Sequence, residues 1–242
     1  MLLYHGTTAA VARKTLKQGL KPRNHHGTSN WEHTTESRPD CVYLTTCYAA
    51  YYAACAAHGR QQWGFIEIDS NLLDAKRLLP DEDFLEAGIR HSKNASWRVL
   101  KGLDLNERVE FLRDTLPEYS HLWEDSIKHL GNCCYQDTIP PEAITRVTVF
   151  DRKSNPKMAY MSLDPCITLV NFRICGKKNE ALTRWFAGYE VTAEELNQPF
   201  PFFSDEHRST MEKCAANQSG VKAIFRRELN PEHVEGALAK EL

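Results

Sequence analysis

Leu2-Leu3-Tyr4-His5-Gly6-Thr7 runs directly into Thr8-Ala9-Ala10-Val11-Ala12-Arg13-Lys14-Thr15-Leu16-Lys17-Gln18-Gly19-Leu20, and this opening is dense in structural signals. The apolar run Leu2-Leu3-Tyr4 predicts a first strand that ends at His5-Gly6-Thr7. A helix is expected from Thr8 to Gln18. Thr7 or Thr8 caps it, because a hydroxyl oxygen accepts from an amide that the helix leaves unpaired. Ala9, Ala12 and Leu16 give it one apolar face. Gly19 stands where a left-handed C-terminal cap falls, and Leu20 packs back on the last turn.

Working outward, residues 21–40 hold Pro22, Gly27, Pro39 and many short polar side chains, which reads as a long loop of the kind that is often functional. Cys41-Val42-Tyr43-Leu44-Thr45 predicts a second strand, and Thr45 or Thr46 opens an alanine- and tyrosine-rich helix to Ala57. Trp63 to Asp69 predicts a third strand. Residues 80–88 read as a short acidic helix. Leu103–Leu116 and Glu118–Leu130 read as helices separated by Pro117, the second closed by Gly131. Cys133 to Ile139 predicts a strand stopped by Pro140-Pro141, and Ile144 to Phe150 another. Beyond Asp151, Ser154-Asn155-Pro156 reads as a turn. Ala159–Leu163 and Ile167–Ile174 read as strands, and Glu180–Phe186 and Asp205–Ala216 as helices. Gln198–Phe203 is a proline-broken apolar segment expected to pack on a neighbour. The expected organisation is a core over 1–151 and an extension over 152–242 packed on it.

Composition narrows the function classes. Of the 242 residues, 42% are hydrophobic and 26% charged, which suits a folded chain and excludes a disordered one. No apolar run reaches the ~20 residues of a membrane helix, so no membrane is expected as a partner. Met1 to Gly6 has neither a basic n-region nor an apolar h-region, and a cytoplasmic protein is expected. Eight cysteines contain no C-x-x-C pair, so no metal is expected, and they read as small buried hydrophobes. The formal charge is −2, yet charge is unevenly placed. Residues 1–31 carry Arg13, Lys14, Lys17, Lys21 and Arg23. Residues 90–101 carry Arg90, Lys93, Arg98 and Lys101 beside His91 and Trp97. These basic patches suit an anionic ligand.

Three constellations carry chemistry. His5, before a glycine and a helix start, can donate to a hydroxyl while its other nitrogen is held. Gly6 lets a ligand approach the backbone. Tyr43 on a strand and Tyr52 on the following helix can sandwich a flat ring, whereas Tyr48 and Tyr51 read as core. In Gly131-Asn132-Cys133-Cys134-Tyr135-Gln136, the residues Asn132, Cys134 and Gln136 share one strand face, presenting two amides in line.

Together these segments resemble the ADP-ribosyltransferase superfamily, in its diphtheria-toxin and poly(ADP-ribose) polymerase branch. His5-Gly6-Thr7 with Gly19-Leu20 is similar to that family's histidine motif. Val42-Tyr43-Leu44-Thr45 with Ala49 and Tyr52 is similar to its tyrosine motif. Ile139-Pro140-Pro141-Glu142-Ala143-Ile144 looks like the ending in DNA-targeting toxins of the family and in tRNA 2′-phosphotransferases. The resemblance covers about residues 1–151. It implies an α+β fold of two packed, mostly antiparallel sheets around an NAD cleft with flanking helices.

The resemblance also implies roles. NAD is the substrate. His5 meets a ribose hydroxyl, the Gly6 backbone meets the carboxamide, and Tyr43 and Tyr52 stack on nicotinamide. Thr7 supports His5 or the adenosine half. Asn132, with Gln136 second, stands where the family usually has glutamate. An amide hydrogen-bonds a hydroxyl but is no general base. The implied activity is therefore mono-ADP-ribosyl transfer, not chain growth. The acceptor is a nucleic acid or a protein, with nucleic acid favoured, and a toxin or phage-defence effector of this kind implies an antitoxin protein as partner. Two alternatives stand beside it: a module that binds NAD or ADP-ribose without catalysis, and an NAD-dependent RNA 2′-phosphotransferase.

Overall fold

Thr8 marks the first change of backbone conformation. In the computed structural model, which describes residues 1–23, 37–91, 100–163, 180–197, 205–216 and 218–227, strand β1 runs Leu2–Thr8 and helix α1 runs Ala9–Gln18. The Thr8 hydroxyl accepts from the Val11 amide, and Gly19, at φ 73°, closes the helix by donating to the Thr15 carbonyl. The Thr8 cap is therefore present as expected, while Gly19 closes the helix with positive φ but an extended ψ of 179°, not in the left-handed helical conformation. His5-Gly6-Thr7 lies inside β1 and does not end it. The histidine motif is thus carried by paired strand.

The remaining strands are β2 (Cys41–Thr45), β3 (Gln62–Asp69), β4 (Leu78–Pro80), β5 (Asn132–Gln136), β6 (Ile144–Asp151) and β7 (Val221–Arg226). Their order is β4-β5-β2-β1-β3-β6-β7. The pairs β1–β2, β1–β3, β3–β6, β4–β5 and β6–β7 are antiparallel. The fold is α+β with one antiparallel sheet. The second packed sheet expected from the sequence is not present among the described residues.

The chain divides into two compact units, each built from separate stretches. The first comprises Met1–Gly19, Thr45–Leu72 and Pro140–Leu242. Here β1 pairs with β3 along its whole length, from Leu2 with Asp69 to Thr8 with Trp63. Helix α2 (Ala49–Ala57) buries Ala49, Ala50, Ala53, Ala54 and Ala57. Thr45 starts it, its hydroxyl oxygen accepting from the Cys47 and Tyr48 amides at 3.1 and 3.0 Å. The alanines matter because this helix lies hard against β1. A Cβ on Gly6 would stand 1.9 Å from the Ala49 carbonyl oxygen. Gly6 thus has a packing reason to be glycine.

Aromatic rings fill the rest of this core. Phe65 stacks on Phe186 at 4.9 Å, and Trp185 meets Phe186 edge-on at 4.8 Å. Both Trp185 and Phe186 come from α7 (Glu180–Phe186), a helix expected from the sequence. Residues on both sides of Asp151 belong to this unit. One expectation fails here. Ala159–Leu163, read as a strand, lies in α6 (Pro156–Leu163). The Asn155 side chain accepts from the Met158 amide at 3.1 Å, and Pro156 follows it. Asparagine at the cap with proline at the first helical position is a helix start, not a turn. Helices α8 (Ala193–Asn197) and α9 (Asp205–Ala216) follow. Residues 167–174 and 198–203 lie outside the described residues.

The second unit comprises Leu20–Leu44 and Leu73–Ile139. Leu20 and Ile139 exchange backbone bonds of 2.9 Å in both directions, which ties the beginning of its first stretch to the end of its second. Its helices are α3 (Glu82–His91), α4 (Leu105–Thr115) and α5 (Trp123–Leu130). Asp104 and Glu107 form a reciprocal cap on α4. A 3₁₀ segment at Leu116–Leu122 follows, with Pro117 at its start. Gly131, at φ 83°, ends α5. The apolar centre is Cys41, Leu79, Leu85, Leu100, Leu112, Leu116 and Cys134. Of the free cysteines among the described residues, Cys41, Cys47, Cys133 and Cys134 are buried and Cys55 is half-buried.

Glycine packing yields a testable contrast. Gly6→Ala forces a methyl group into a backbone carbonyl that no side-chain rotation can clear, and is expected to cost about 3 kcal/mol or more. Gly88 lies in α3 with open space where its Cβ would be. Gly88→Ala should raise stability by up to about 1 kcal/mol through helix propensity. Urea unfolding of both variants checks the pair.

Candidate functional site

Arg38-Pro39-Asp40 turns the chain into β2 of the second unit, and it is the hub of a polar network there. Pro39 fixes the turn, and the two flanking side chains meet across it. Arg38 donates from Nε to Asp40 Oδ1 at 2.8 Å and from Nη2 to Oδ2 at 2.7 Å. This is a two-pronged guanidinium–carboxylate pair, stronger and better oriented than a single contact. Arg38 Nη1 donates to the Arg113 carbonyl at 2.8 Å, near the end of α4, where a cation offsets the partial negative charge of the last carbonyls. The Arg38 guanidinium holds the Asp40 carboxyl down at about 2, with the Gln136 amide adding to the effect against the penalty of burial.

From this hub the network runs two ways. The Arg38 backbone N–H donates to the Tyr43 hydroxyl at 2.9 Å, and that hydroxyl donates to Glu82 Oε1. Glu82 opens α3 and is buried. Burial pushes its carboxyl up, opposed by the Tyr43 bond. Its neighbour Asp81 is also buried and pushed up, by burial first and then by the charges of Asp83 and Glu82. In the other direction, Gln136 Nε2 donates to Asp40 Oδ2 at 2.9 Å. The Asp40 carbonyl accepts from the Asp137 amide at 2.8 Å, and Asp137 pairs with Arg77 at 2.9 Å.

Two hollows open on this network. One, of about 420 Å³, is lined by Asp40, Arg77, Gln136 and Asp137. The other, of about 570 Å³, is lined by Arg23, Arg38, Pro39, Asp40, Arg113 and Asp114.

Of the residues singled out from the sequence, Tyr43 and Gln136 join in this one network, at either end of Arg38 and Asp40. Asn132 opens β5 and is buried; its carbonyl accepts from the Ser126 hydroxyl at 2.7 Å, and that hydroxyl oxygen accepts from the Asp81 amide at 3.0 Å. His5, Gly6, Thr7 and Tyr52 belong to the first unit. His5 is half-buried on β1, in register with Ile66, and Thr7 is buried. Tyr52 is half-buried on α2, edge-on to the Tyr48 and Tyr51 rings at 6.2 and 5.8 Å. The basic patch over residues 90–101, with His91 and Trp97, lies outside the described side chains, as do residues 24–36 of the long loop.

Sequence reading did not find Arg38, Asp40 or Glu82. A weak signal for the first two was on the page: opposite charges flanking a proline immediately before a strand. Glu82 had none, because an acid in the first turn of a helix is commonplace. Among the described residues no group of histidine, cysteine and carboxylate side chains is arranged to hold a metal ion, and no helix is long and apolar enough to cross a membrane. Compared with known proteins, the chain matches no family model and no curated protein sequence.

The Asp40 fork has a pH signature. A carboxyl near 2, against about 3.9 for a free aspartate, contributes stability above the unfolded value and loses it as pH falls toward the folded one. The difference in unfolding free energy between wild type and Asp40→Asn is therefore expected to be constant from pH 7 to 5 and to shrink between about pH 4 and 2. A difference that stays constant down to pH 2 would show the fork to be inert. At the other end of the network, Tyr43→Phe leaves a buried carboxyl without its donor and should cost about 1–3 kcal/mol at neutral pH. Glu82→Gln keeps an acceptor for the hydroxyl and should cost less.

Proposed function

We propose that the chain is an NAD-dependent mono-ADP-ribosyltransferase acting on a macromolecular acceptor, nucleic acid before protein. One observation carries the reading: the motifs of the resemblance fall, in order, on the kinds of element that resemblance calls for. His5-Gly6-Thr7 lies on β1, and the helix after it ends at Gly19-Leu20. Tyr43 lies on β2, Tyr52 on α2, and Asn132 opens β5.

The chemistry follows from charge. When the nicotinamide–ribose bond breaks, its electron pair leaves with nicotinamide and a cation develops on the ribose. A nucleophile of the acceptor then forms the new bond at that carbon and gives up a proton. Transition-state stabilisation therefore rests on orienting the ribose and ring, and on holding the cation beside the nucleophile. In this reading His5 donates to a ribose hydroxyl, the Gly6 backbone meets the carboxamide, Thr7 supports His5, and Tyr43 and Tyr52 flank the nicotinamide ring. The Tyr43 hydroxyl, held between Glu82 and the Arg38 N–H, fixes the orientation of its ring.

For the ribose contact on the acceptor side, Asn132 is preferred, with Gln136 second, because Asn132 opens β5 where the resembled family usually has glutamate. Neither is a base. That favours transfer of one ADP-ribose to an acceptor that is nucleophilic in its own right. The amide at position 132, where the resembled family usually has a carboxylate, favours as second reading a module that binds NAD or ADP-ribose without turnover.

Labelled NAD incubated with the protein and separate pools of RNA, DNA and protein tests both. Release of nicotinamide with label in one pool is the expected outcome, and binding without release would establish the second reading. His5→Ala should abolish labelling. Gln18→Ala, on the exposed end of α1, should leave it unchanged, and equal activity of the two variants would remove the assignment.

A further inference from the structure

Asp81 and Glu82 are neighbours in sequence at the junction of β4 and α3, and both are buried, at 8% and 6% exposure. Asp81 starts the helix. Its carbonyl accepts from the Phe84 and Leu85 amides at 3.1 and 3.3 Å, and its Oδ1 accepts from the Asp83 amide at 2.9 Å. Glu82 accepts from the Tyr43 hydroxyl. Among the described residues no lysine, arginine or histidine side chain pairs with either carboxyl.

The elements packed around the pair supply donors and neutral groups. From the turn before β2, Arg38 offers its backbone N–H, while its guanidinium is bonded to Asp40 and to the Arg113 carbonyl. Strand β2 brings Tyr43 and β5 brings Cys133 and Cys134, and burial pushes all three up, so they stay neutral. On α3 itself, Asp83 is exposed and adds a like charge, and Glu86 is bonded to Arg108 of α4. On α5, the Ser126 hydroxyl accepts from the Asp81 amide, and Glu124, Asp125, Lys128 and His129 are exposed. The 3₁₀ segment at Leu116–Leu122 carries exposed Glu118 and His121 and half-buried Tyr119.

One negative charge is well placed in these surroundings. The start of a helix favours it, and the Asp83 amide, the Tyr43 hydroxyl and the Arg38 amide offer it hydrogens. Two charges are not. Side by side, out of water and without a counter-ion, each carboxylate raises the cost of ionising the other. Such carboxyls titrate as a unit, and the second proton is held long after the first has left. We infer that Asp81 and Glu82 share one proton at neutral pH and form a pH-sensitive clasp of the second unit. With the proton held, the start of α3 is seated against Tyr43 and β5. With its loss, the second charge unseats that turn. Ser126 extends the reach of the clasp, because the hydroxyl that accepts from the Asp81 amide donates to the Asn132 carbonyl. The clasp is independent of what the chain binds or transfers.

A carboxyl that keeps its proton in the folded state beyond the unfolded value of about 4 weakens folding as pH rises, until the folded pair ionises too. Urea unfolding of the full chain is followed from about pH 4 to 9 for wild type, Asp81→Asn and Glu82→Gln. Asparagine keeps an acceptor for the Asp83 amide, and glutamine keeps one for the Tyr43 hydroxyl. Relative to either variant, the wild-type unfolding constant rises by up to about tenfold per pH unit and levels off once the pair has ionised. A ratio that is flat in pH overturns the clasp.

Carboxyl-carbon NMR of the wild type, labelled at aspartate and glutamate, reads the proton directly and needs no variant to fold. One carboxyl titrating above about pH 6 is expected, and that titration is absent from both variants, since removing either charge lets the other form alone. Titration of every carboxyl below about pH 5 overturns the proposal. So does a high titration that survives in either variant, because it would belong to one buried group and not to the pair.

Discussion

The carbonyl oxygen of Ala49 occupies the place where residue 6 would carry a side chain, and the first unit is organised around that contact. A strand and a helix can lie so close only if both surfaces are stripped of bulk. The strand supplies Gly6, and the helix supplies a buried face of Ala49, Ala50, Ala53, Ala54 and Ala57. Close packing of this kind transmits strain, since no flexible side chain separates the two backbones. It also fixes where His5 and Thr7 stand, because both neighbours of Gly6 are held by the same strand and alternate to its other face. The large rings of Trp63, Phe65, Phe150, Trp185 and Phe186 fill the wider part of the same core.

The second unit relies on polar bonds as well as apolar packing. Its apolar centre is modest, and three carboxylates, Asp81, Glu82 and Glu86, are buried beside it. Buried polar groups carry a desolvation cost that only hydrogen bonds offset. Here the Tyr43 hydroxyl donates to Glu82, the Asp83 amide to Asp81 and Arg108 to Glu86. The result is a chain of hydrogen bonds from Glu82 to Gln136 that sets the orientation of the Tyr43 hydroxyl. The residues at its centre, Arg38 and Asp40, have no role in the family resemblance.

What the sequence determined by itself was local. Thr8 and Gly19 bound α1 because a cap hydroxyl and a positive-φ glycine act over one turn. Cys41–Thr45 was legible as a strand from β-branched and aromatic residues, and Gly131 as a stop. The motif residues His5, Tyr43, Tyr52 and Asn132 were legible as types at spacings. Ala159–Leu163 was misread because the capping meaning of Asn155 before Pro156 was taken for a turn. Short or edge strands such as β4 and β7 leave too little pattern to read. Tertiary structure alone decided which strands became neighbours, that Gly6 makes room for a helix, and that Arg38, Asp40, Glu82 and Gln136 meet. Those meetings join positions up to 96 residues apart, and a hydrogen bond of 3 Å between such positions leaves no trace in either local sequence.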